Sequence, residues 1–574
     1  MRLIATFAIL MLAFGGMAVR LVVLQIVESP GYALIASKQR ESTRPFPARR
    51  GSIYDRNGKS LAISVDLQTV YADPALVTDA RREARRLAPL LGTPAASLQR
   101  VLEGDPQSRF EYVARQIDPA LARRIENLKL AGVFARPEPK RLYPNESVAS
   151  TILGFVGTDG EGLSGIENQY EGILRGRAGF MTLEQDPSGR PLPQTDFRYE
   201  PPVQGRSLYL TIDKDIQNYA EMELENAIAR YDANAASAVI MRPSTGEILG
   251  MANVPDFDPN RFGDFSQSDF RNRAVTDVYE PGSAYKIVTV AGAIEDDVVS
   301  PRSSFVVPDE LPFEDRVFHD SHAHDTETMS VTEIIEQSSN VGTIKIGLAL
   351  GGERLDHYVR RFGFGSATGL DFPGESPGIV LDRDQWSGVT IATTPIGQGI
   401  AVTTLQMASA YAALANGGVW VEPKLVSATV DGDGSLKRSS APATRRVVSG
   451  RTARQMTEML TGVVRRGTGM LARVPGYQVA GKTGTAQKPV AGGGYGNSYV
   501  ASFAGFAPAA DPEIVTIVVL DDPDPIWGGV TAAPVFRAIS EYALRRLGIA
   551  PTADAQRAAE QMQSEQDLVP EPHD

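Results

Sequence analysis

Cysteine is absent from all 574 residues, which excludes disulfides, thiolate metal sites and a cysteine nucleophile in any compartment. Histidine is scarce, with five copies, so a Ser–His–Asp hydrolase has few places to find its base. Three of them fall in His319-Asp-Ser-His322-Ala-His324, a spacing that lacks the i, i+4 helical pair of a metal site. A solvated loop and no metal are expected there, and His357 and His573 stand alone. Basic residues are in deficit, 57 Lys and Arg against 69 Asp and Glu, and the net charge of -12 argues against nucleic acid as a partner. No internal repeat is visible. The chain is 42% apolar and 22% charged, a folded composition too long for one core, so two or more domains are expected.

One long apolar run stands out. Leu3 to Val19 is unbroken, Arg20 interrupts it, and Leu21 to Val27 continue it with Gln25 as the polar exception. A spanning helix needs roughly 20 residues, and Arg20 is tolerable if it snorkels to an interface. The run exceeds a signal-peptide core and Ala13-Phe-Gly15 is a poor cleavage site, so an uncleaved single-pass anchor is expected. Arg2 ahead of the run puts the N-terminus inside and the remainder on the extracytoplasmic side. The expected organisation is a cytoplasmic start and anchor over 1–27, an elongated mixed α/β pedestal over 28–202, a catalytic domain over 203–548 and a disordered tail over 549–574. Helices are expected at Arg81–Leu91, Pro119–Leu130, Asp213–Ala229 and Ala533–Leu547, and strands at Leu208–Ile212 and Ile514–Leu520. A hairpin is expected from Ala238–Met241 to Glu247–Met251, and Asp186-Pro-Ser-Gly-Arg-Pro-Leu-Pro and Tyr199-Glu-Pro-Pro mark a linker.

Three short motifs carry chemistry. In Glu280-Pro-Gly-Ser-Ala-Tyr-Lys286, Pro-Gly suits a tight entry into a helix, where Ser283 would meet free N–H groups with Lys286 one turn along. A neutral amine beside a hydroxyl can remove its proton and make it a nucleophile. Ser338-Ser-Asn340 follows an amphipathic stretch and offers a hydroxyl for proton relay and an amide for a carbonyl or the Lys. In Gly481-Lys-Thr-Gly-Thr-Ala486, Lys482 offers charge to a carboxylate, Thr483 and Thr485 offer hydroxyls, and Gly484 lets a ligand backbone approach. Gly476 also completes a formal phosphate-loop pattern with Gly481-Lys-Thr, but Val479 to Gln487 reads as one strand rather than a loop entering a helix. Each motif alone has an ordinary structural reading.

Ser-x-x-Lys, Ser-x-Asn and Lys-Thr-Gly in this order resemble the signature of penicillin-binding proteins and serine β-lactamases, with Ser-Ser-Asn where class A β-lactamases have Ser-Asp-Asn. Arg50-Gly-Ser-Ile-Tyr-Asp-Arg-Asn-Gly58, Leu61-Ala-Ile-Ser64, Arg141-Leu-Tyr-Pro144, Gly154-Phe-Val-Gly157 and Gly165-Ile-Glu167 look like the pedestal motifs of the class B, monofunctional branch. Thr245-Gly-Glu-Ile-Leu249, Gly397-Gln-Gly-Ile400 and Gly528 to Phe536 are similar to stretches of its transpeptidase domain. The resemblance spans about residues 3–548, is nearest the division-type, FtsI-like subgroup, and has the style of actinobacterial members.

That resemblance implies an α+β penicillin-binding transpeptidase fold: an antiparallel sheet flanked by helices, a helical subdomain, the pedestal and one transmembrane helix. It implies that Ser283 attacks the bond between two terminal D-alanines of a stem peptide with Lys286 as base. The backbone N–H groups of Ser283 and Thr485 would form the oxyanion hole, Ser338 would carry a proton to the leaving D-Ala, and Asn340 would complete the catalytic set. Lys482, Thr483, Gly484 and Thr485 would bind substrate, and Arg50, Asp55, Arg56, Arg141 and Glu167 would form a structural network in the pedestal. β-Lactams would be inhibitors, a SEDS-family glycan polymerase and division-complex membrane proteins the partners, and no metal or organic cofactor is implied. An elongation-type transpeptidase, a β-lactamase or β-lactam sensor, a D,D-carboxypeptidase and an inactive division scaffold share parts of this signature.

Overall fold

The computed structural model describes residues 2–29, 41–105, 107–184, 198–432, 434–490 and 492–551; the expected linker at 186–193 and most of the expected tail lie outside the described residues. Within them the chain forms two compact units, one of residues 1–50, 64–140 and 175–205, the other of residues 51–63, 141–174 and 206 onward.

The larger unit is built on a sheet that buries both faces, which is why its strands read as continuous apolar runs rather than alternating ones. Strands β1 (Ala235–Met241), β2 (Ile248–Val254), β3 (Ala480–Pro489), β4 (Tyr495–Ala507) and β5 (Ile514–Asp521) pair antiparallel in the order β2-β1-β5-β4-β3. Successive side chains point to opposite faces. Val239, Ile517, Val519 and Phe506 enter one apolar cluster, while Ile240, Val518, Leu520 and Phe503 enter another.

The helices that cover these faces are α1 (Lys214–Tyr231), α2 (Lys286–Glu295), α3 (Val331–Gln337), α4 (Asn340–Leu350), α5 (Thr404–Ala415), α6 (Gly450–Arg466) and α7 (Ala532–Arg546). On one side lie α1 and α7, contributing Leu224, Phe536 and Ile539. On the other side α2 and α5 are buried almost all round, so neither shows the polar face of a surface helix. Helix starts follow local chemistry. The Asp213 carboxylate accepts from the N–H groups of Asp215 and Ile216, and Ser330 with Glu333 and Thr403 with Gln406 form capping boxes on α3 and α5.

In the smaller unit, Arg2–Val22 is an α-helix that continues as a π-helical turn over Val23–Val27. The most apolar 18-residue window of residues 2–27 has a mean hydropathy of 2.3 and none of it is buried, and among the described residues this is the one helix long and apolar enough to cross a membrane. Arg20 Nη1 reaches Glu28 Oε1 at 3.0 Å, so the charge interrupting the run has a partner in the chain itself. Farther along, Val70, Leu87, Leu98, Leu102 and Ile125 form a small core. Its helix Ala80–Leu91 starts on the Asp79 cap and ends at Gly92 in the left-handed region. The helix expected over Pro119–Leu130 stops at Glu126, because the backbone tightens into a turn (Leu128 N–H to Ile125 O, 3.0 Å) and Lys129 takes φ +49.

Candidate active site

The nucleophile candidate sits in a 3-10 turn. Gly282–Tyr285 winds at three residues per turn before α2 begins at Lys286, and in that geometry residues three apart eclipse. Ser283 and Lys286 are so placed, which a regular α-helix would achieve less directly. Gly282 makes the turn possible twice over: its φ is +52, and a Cβ there would meet the Thr485 carbonyl oxygen at 2.9 Å. On β3, Gly484 is required by the same packing, since a Cβ would lie 2.3 Å from Ser502 Oγ and 2.9 Å from the Pro281 carbonyl oxygen. The first and third motifs are thus pressed together backbone to backbone.

The second motif joins them through Ser338. This residue ends α3 in the left-handed region (φ +64), a conformation that turns its side chain and carbonyl back into the cleft rather than along the helix. Lys286 Nζ donates to the Ser338 carbonyl at 2.6 Å and to Asn340 Oδ1 at 2.8 Å, and lies 3.4 Å from Ser338 Oγ. Lys482 Nζ donates to Ser338 Oγ at 2.8 Å and also meets its neighbour's Thr483 Oγ1 at 3.2 Å, which places Thr483 at the mouth of the same cleft beside Thr468 Oγ1 at 2.9 Å. The Gly528 N–H donates to Thr485 Oγ1 at 3.1 Å, fixing the second threonine. Both lysines are fully buried. Burial pushes Lys286 down to about 7. It pushes Lys482 well below the ordinary lysine range too, and the neighbouring Lys286 adds to that shift.

β3 is the end strand of its sheet, so its backbone groups facing away from β4 are open to an extended peptide. The strand expected at Val479–Gln487 is there, and the phosphate-loop reading of Gly476–Thr483 is excluded, because Lys482 and Thr483 lie in mid-strand instead of entering a helix.

The expectation of a merely solvated loop at His319–His324 is corrected. Asn340 Nδ2 donates to the His319 carbonyl at 2.9 Å. Asp320 Oδ1 accepts from the N–H groups of Asn340 at 2.5 Å and Val341 at 2.9 Å, and Asp320 Oδ2 faces His324 Nε2 at 3.1 Å. This loop holds the start of α4 and with it the Asn340 amide. The sequence carried no signal for that: Asp320 is 20 residues from Asn340, and no periodicity links a loop carboxylate to a distant helix start. Among the described residues no cluster of metal-ligating side chains occurs.

Of the residues expected to form a pedestal network, Asp55, Arg56, Arg141 and Glu167 lie in the larger unit and Arg50 in the smaller. Arg141 Nε meets Glu167 Oε1 at 2.6 Å and Arg141 Nη1 donates to the Gly51 carbonyl at 2.8 Å, with Arg141 and Glu167 side chains 4% and 0% exposed. Asp55, fully buried, accepts from the N–H groups of Asn57 and Lys59, each at 2.8 Å, and of Lys214 at 3.2 Å, tying the 55–59 turn to the start of α1. Arg56 faces Glu247 at 3.6 Å, and Arg50 is buried.

Residues 236–541 match the family described as the penicillin binding protein transpeptidase domain, and residues 45–210 match the penicillin-binding protein dimerisation domain. The chain is a class B penicillin-binding protein, a serine-type D,D-transpeptidase. It is 36% identical over 570 residues to the penicillin-binding protein PbpB of Mycobacterium tuberculosis, covering 94% of this chain and 84% of that one. To the peptidoglycan D,D-transpeptidase FtsI of Escherichia coli K12 it is 35% identical over 514 residues, 88% of this chain and 84% of the relative. Among solved structures, penicillin binding protein 3 of M. tuberculosis complexed with aztreonam superposes with a TM-score of 0.71 at 33% identity, covering 89% of this chain and 98% of that one. The expected α+β fold with a pedestal and one apolar N-terminal helix is the fold observed.

Proposed function

We propose that this penicillin-binding protein cross-links stem peptides in septal wall synthesis through an acyl-enzyme on Ser283. The observation that carries the reading is the hydrogen bonding of Lys286. A neutral amine has two N–H bonds and one lone pair, and here the two donors are occupied by the Ser338 carbonyl and Asn340 Oδ1. The lone pair remains for the Ser283 hydroxyl proton, and an amine brought down to about 7 has that lone pair free in a substantial fraction of molecules near neutral pH. Ser283 attacks the D-Ala-D-Ala carbonyl, and the N–H groups of Ser283 and Thr485 receive the oxyanion. The substrate carboxylate meets Thr483, Thr485 and Lys482; its charge restores the ammonium form of Lys482 and leaves Lys286 neutral. Ser338, hydrogen-bonded to Lys482 and near Lys286, passes the proton to the departing D-Ala amine, and an amine of a second stem then takes the acyl group.

The apolar helix serves as a single-pass anchor, with the N-terminus inside and everything after residue 27 outside the cytoplasmic membrane. A SEDS-family glycan polymerase and other division-complex membrane proteins are its partners in this reading, supported by the division-type resemblance and the exposed helix. The test is intact-mass analysis of the full chain after benzylpenicillin, with localisation of a fluorescent fusion in dividing cells. A stable adduct on Ser283, lost in Ser283→Ala, and midcell enrichment are expected. Rapid loss of the adduct by hydrolysis would make the chain a β-lactamase, and uniform side-wall labelling would make it an elongation enzyme.

A further inference from the structure

The loop that precedes α3 does more than fill space beside the site. Its Asp320 carboxylate bonds the first two N–H groups of α4, where a negative charge is favoured by the free N–H groups of the helix start. Asn340, the first of those residues, presents Oδ1 to Lys286 and Nδ2 to the His319 carbonyl. The amide is thus held from both sides, and its orientation fixes one of the two donors of Lys286. Behind Asp320 stands His324, with Nδ1 2.6 Å from the Asp325 carbonyl and Nε2 3.1 Å from Asp320 Oδ2. Both ring nitrogens face acceptors, and only the imidazolium can donate to both.

We infer that Asp320 and His324 are positioning residues of the acylation step: the carboxylate orients Asn340 and biases Lys286 toward its ammonium form, and the imidazolium offsets that bias by neutralising the carboxylate. This rests on the reading of Lys286 as the base. The charged groups that act on the pair are few. Asp309 and Asp320 and the Asp325 carbonyl hold His324 above its ordinary value, led by the bond to that carbonyl. Asp320 acts on Lys286 to raise it against the effect of burial, and Lys286 is in turn felt by Lys482. Glu310 faces His319 at 3.6 Å and does not reach His324 within an ion-pair distance among the described residues. Bound together, the two side chains make a nearly neutral buttress at low pH and a negative one once His324 loses its proton.

The consequence is a pair of opposite shifts. Asp320→Asn keeps an oxygen for the helix start but removes the charge, so Lys286 releases its proton more readily and the acid limb of acylation moves to lower pH. His324→Gln keeps a donor toward Asp320 but can never be charged, so the carboxylate acts at full strength and the limb moves to higher pH. Each shift is expected to be about half a unit to one unit. The measurement is the second-order rate of acylation of the full chain by a fluorescent penicillin, from about pH 5.5 to 9 around the histidine and lysine transitions, with thermal midpoints as a check on folding. A parent profile with no acid limb overturns the assignment of Lys286 as base. A parent limb that neither variant moves, or that both move in one direction with lowered plateaus, overturns the inference and leaves the pair a structural brace. If Asp320→Asn does not fold, His324→Gln decides alone: an upward shift supports the inference and an unmoved limb ends it.

Discussion

Ser338 Oγ lies 2.8 Å from the Nζ of Lys482, although 144 residues separate the two in the chain. The contact depends on three local facts. Ser338 closes α3 in a left-handed conformation, Lys482 sits in the middle of the edge strand β3, and both are buried. Two lysines therefore converge on one serine where burial disfavours ammonium groups, and the cost of a second charge there is high. In the proposed mechanism an arriving carboxylate would change that balance in favour of Lys482 and so couple substrate binding to the protonation of the site.

The first prediction separates the two lysines. Because burial brings Lys286 to about 7, its neutral form gains population as pH rises through that value, and acylation by benzylpenicillin should climb and then level. Lys286→Arg stays protonated throughout and should lose roughly 10²–10⁴-fold in rate, the contribution of a general base. Lys482→Arg keeps a permanent cation beside Lys286, so the loss should be smaller and the acid limb should move down in pH. Stopped-flow rates on the detergent-solubilised chain measure both. Equal losses with an unshifted limb would undo the division of roles.

Much of this site was legible in the sequence for a physical reason: the three motifs are local, and their spacing directly encodes a turn, a helix end and a strand. Pro281-Gly282 announced the tight entry at Ser283, and the amphipathic stretch ahead of Ser338 announced α3. What stayed hidden was long-range. Asp320 reaches Asn340 across a strand and a helix, and nothing in a loop of histidines reveals which backbone it will bond. Likewise residues 51–63 and 141–174 belong to the larger unit and meet it through long-range contacts such as Asp55–Lys214 and Ala149–Glu221, which no periodicity foretells.

The second prediction concerns that brace. Glu167 is fully buried with Arg141, and removing one partner of such a pair strands a charge. Arg141→Ala should therefore cost about 3–5 kcal/mol, whereas replacing both with apolar residues of similar volume should cost far less. Thermal denaturation of the full chain compares the variants, and penicillin labelling at low temperature checks that the site survives. A single variant as stable as the parent would remove the brace from the account.

The third prediction is a pH effect on stability. Burial raises the Glu221 carboxyl to about 8 although Gln217 Nε2 and the Ala149 N–H donate to it at 2.7 and 3.0 Å. An acid whose folded value is raised binds its proton in the native state while the unfolded chain has released it. Stability from this group is then full below about pH 4.5 and declines as pH rises toward 8. Glu221→Gln keeps the accepting oxygen and removes the titration. Its melting temperature should exceed the parent's at the alkaline end and match it near the acid end. A parallel offset at all pH values would point to packing instead.

The last prediction concerns the helix over residues 2–27. If it were only a tether, any apolar helix of that length would serve. Arg20 alone does not argue otherwise, because Glu28 pairs with it at 3.0 Å with both side chains exposed, and such a pair can sit at an interface. The stronger observation is Gly15-Gly16, where a Cβ would meet nothing within 4 Å, so neither glycine is required by contacts among the described residues. Each costs a helix about 1 kcal/mol relative to Ala, and the bare backbone they leave suits close packing against another membrane helix. Gly15→Leu/Gly16→Leu should therefore leave penicillin acylation unchanged while abolishing support of growth and lowering glycan polymerisation by a co-purified polymerase. Exchange of the whole segment for an unrelated spanning helix should do the same, while Arg20→Gln with Glu28→Gln should have the smaller effect. Full complementation by the glycine variant at matched expression would reduce the segment to a tether.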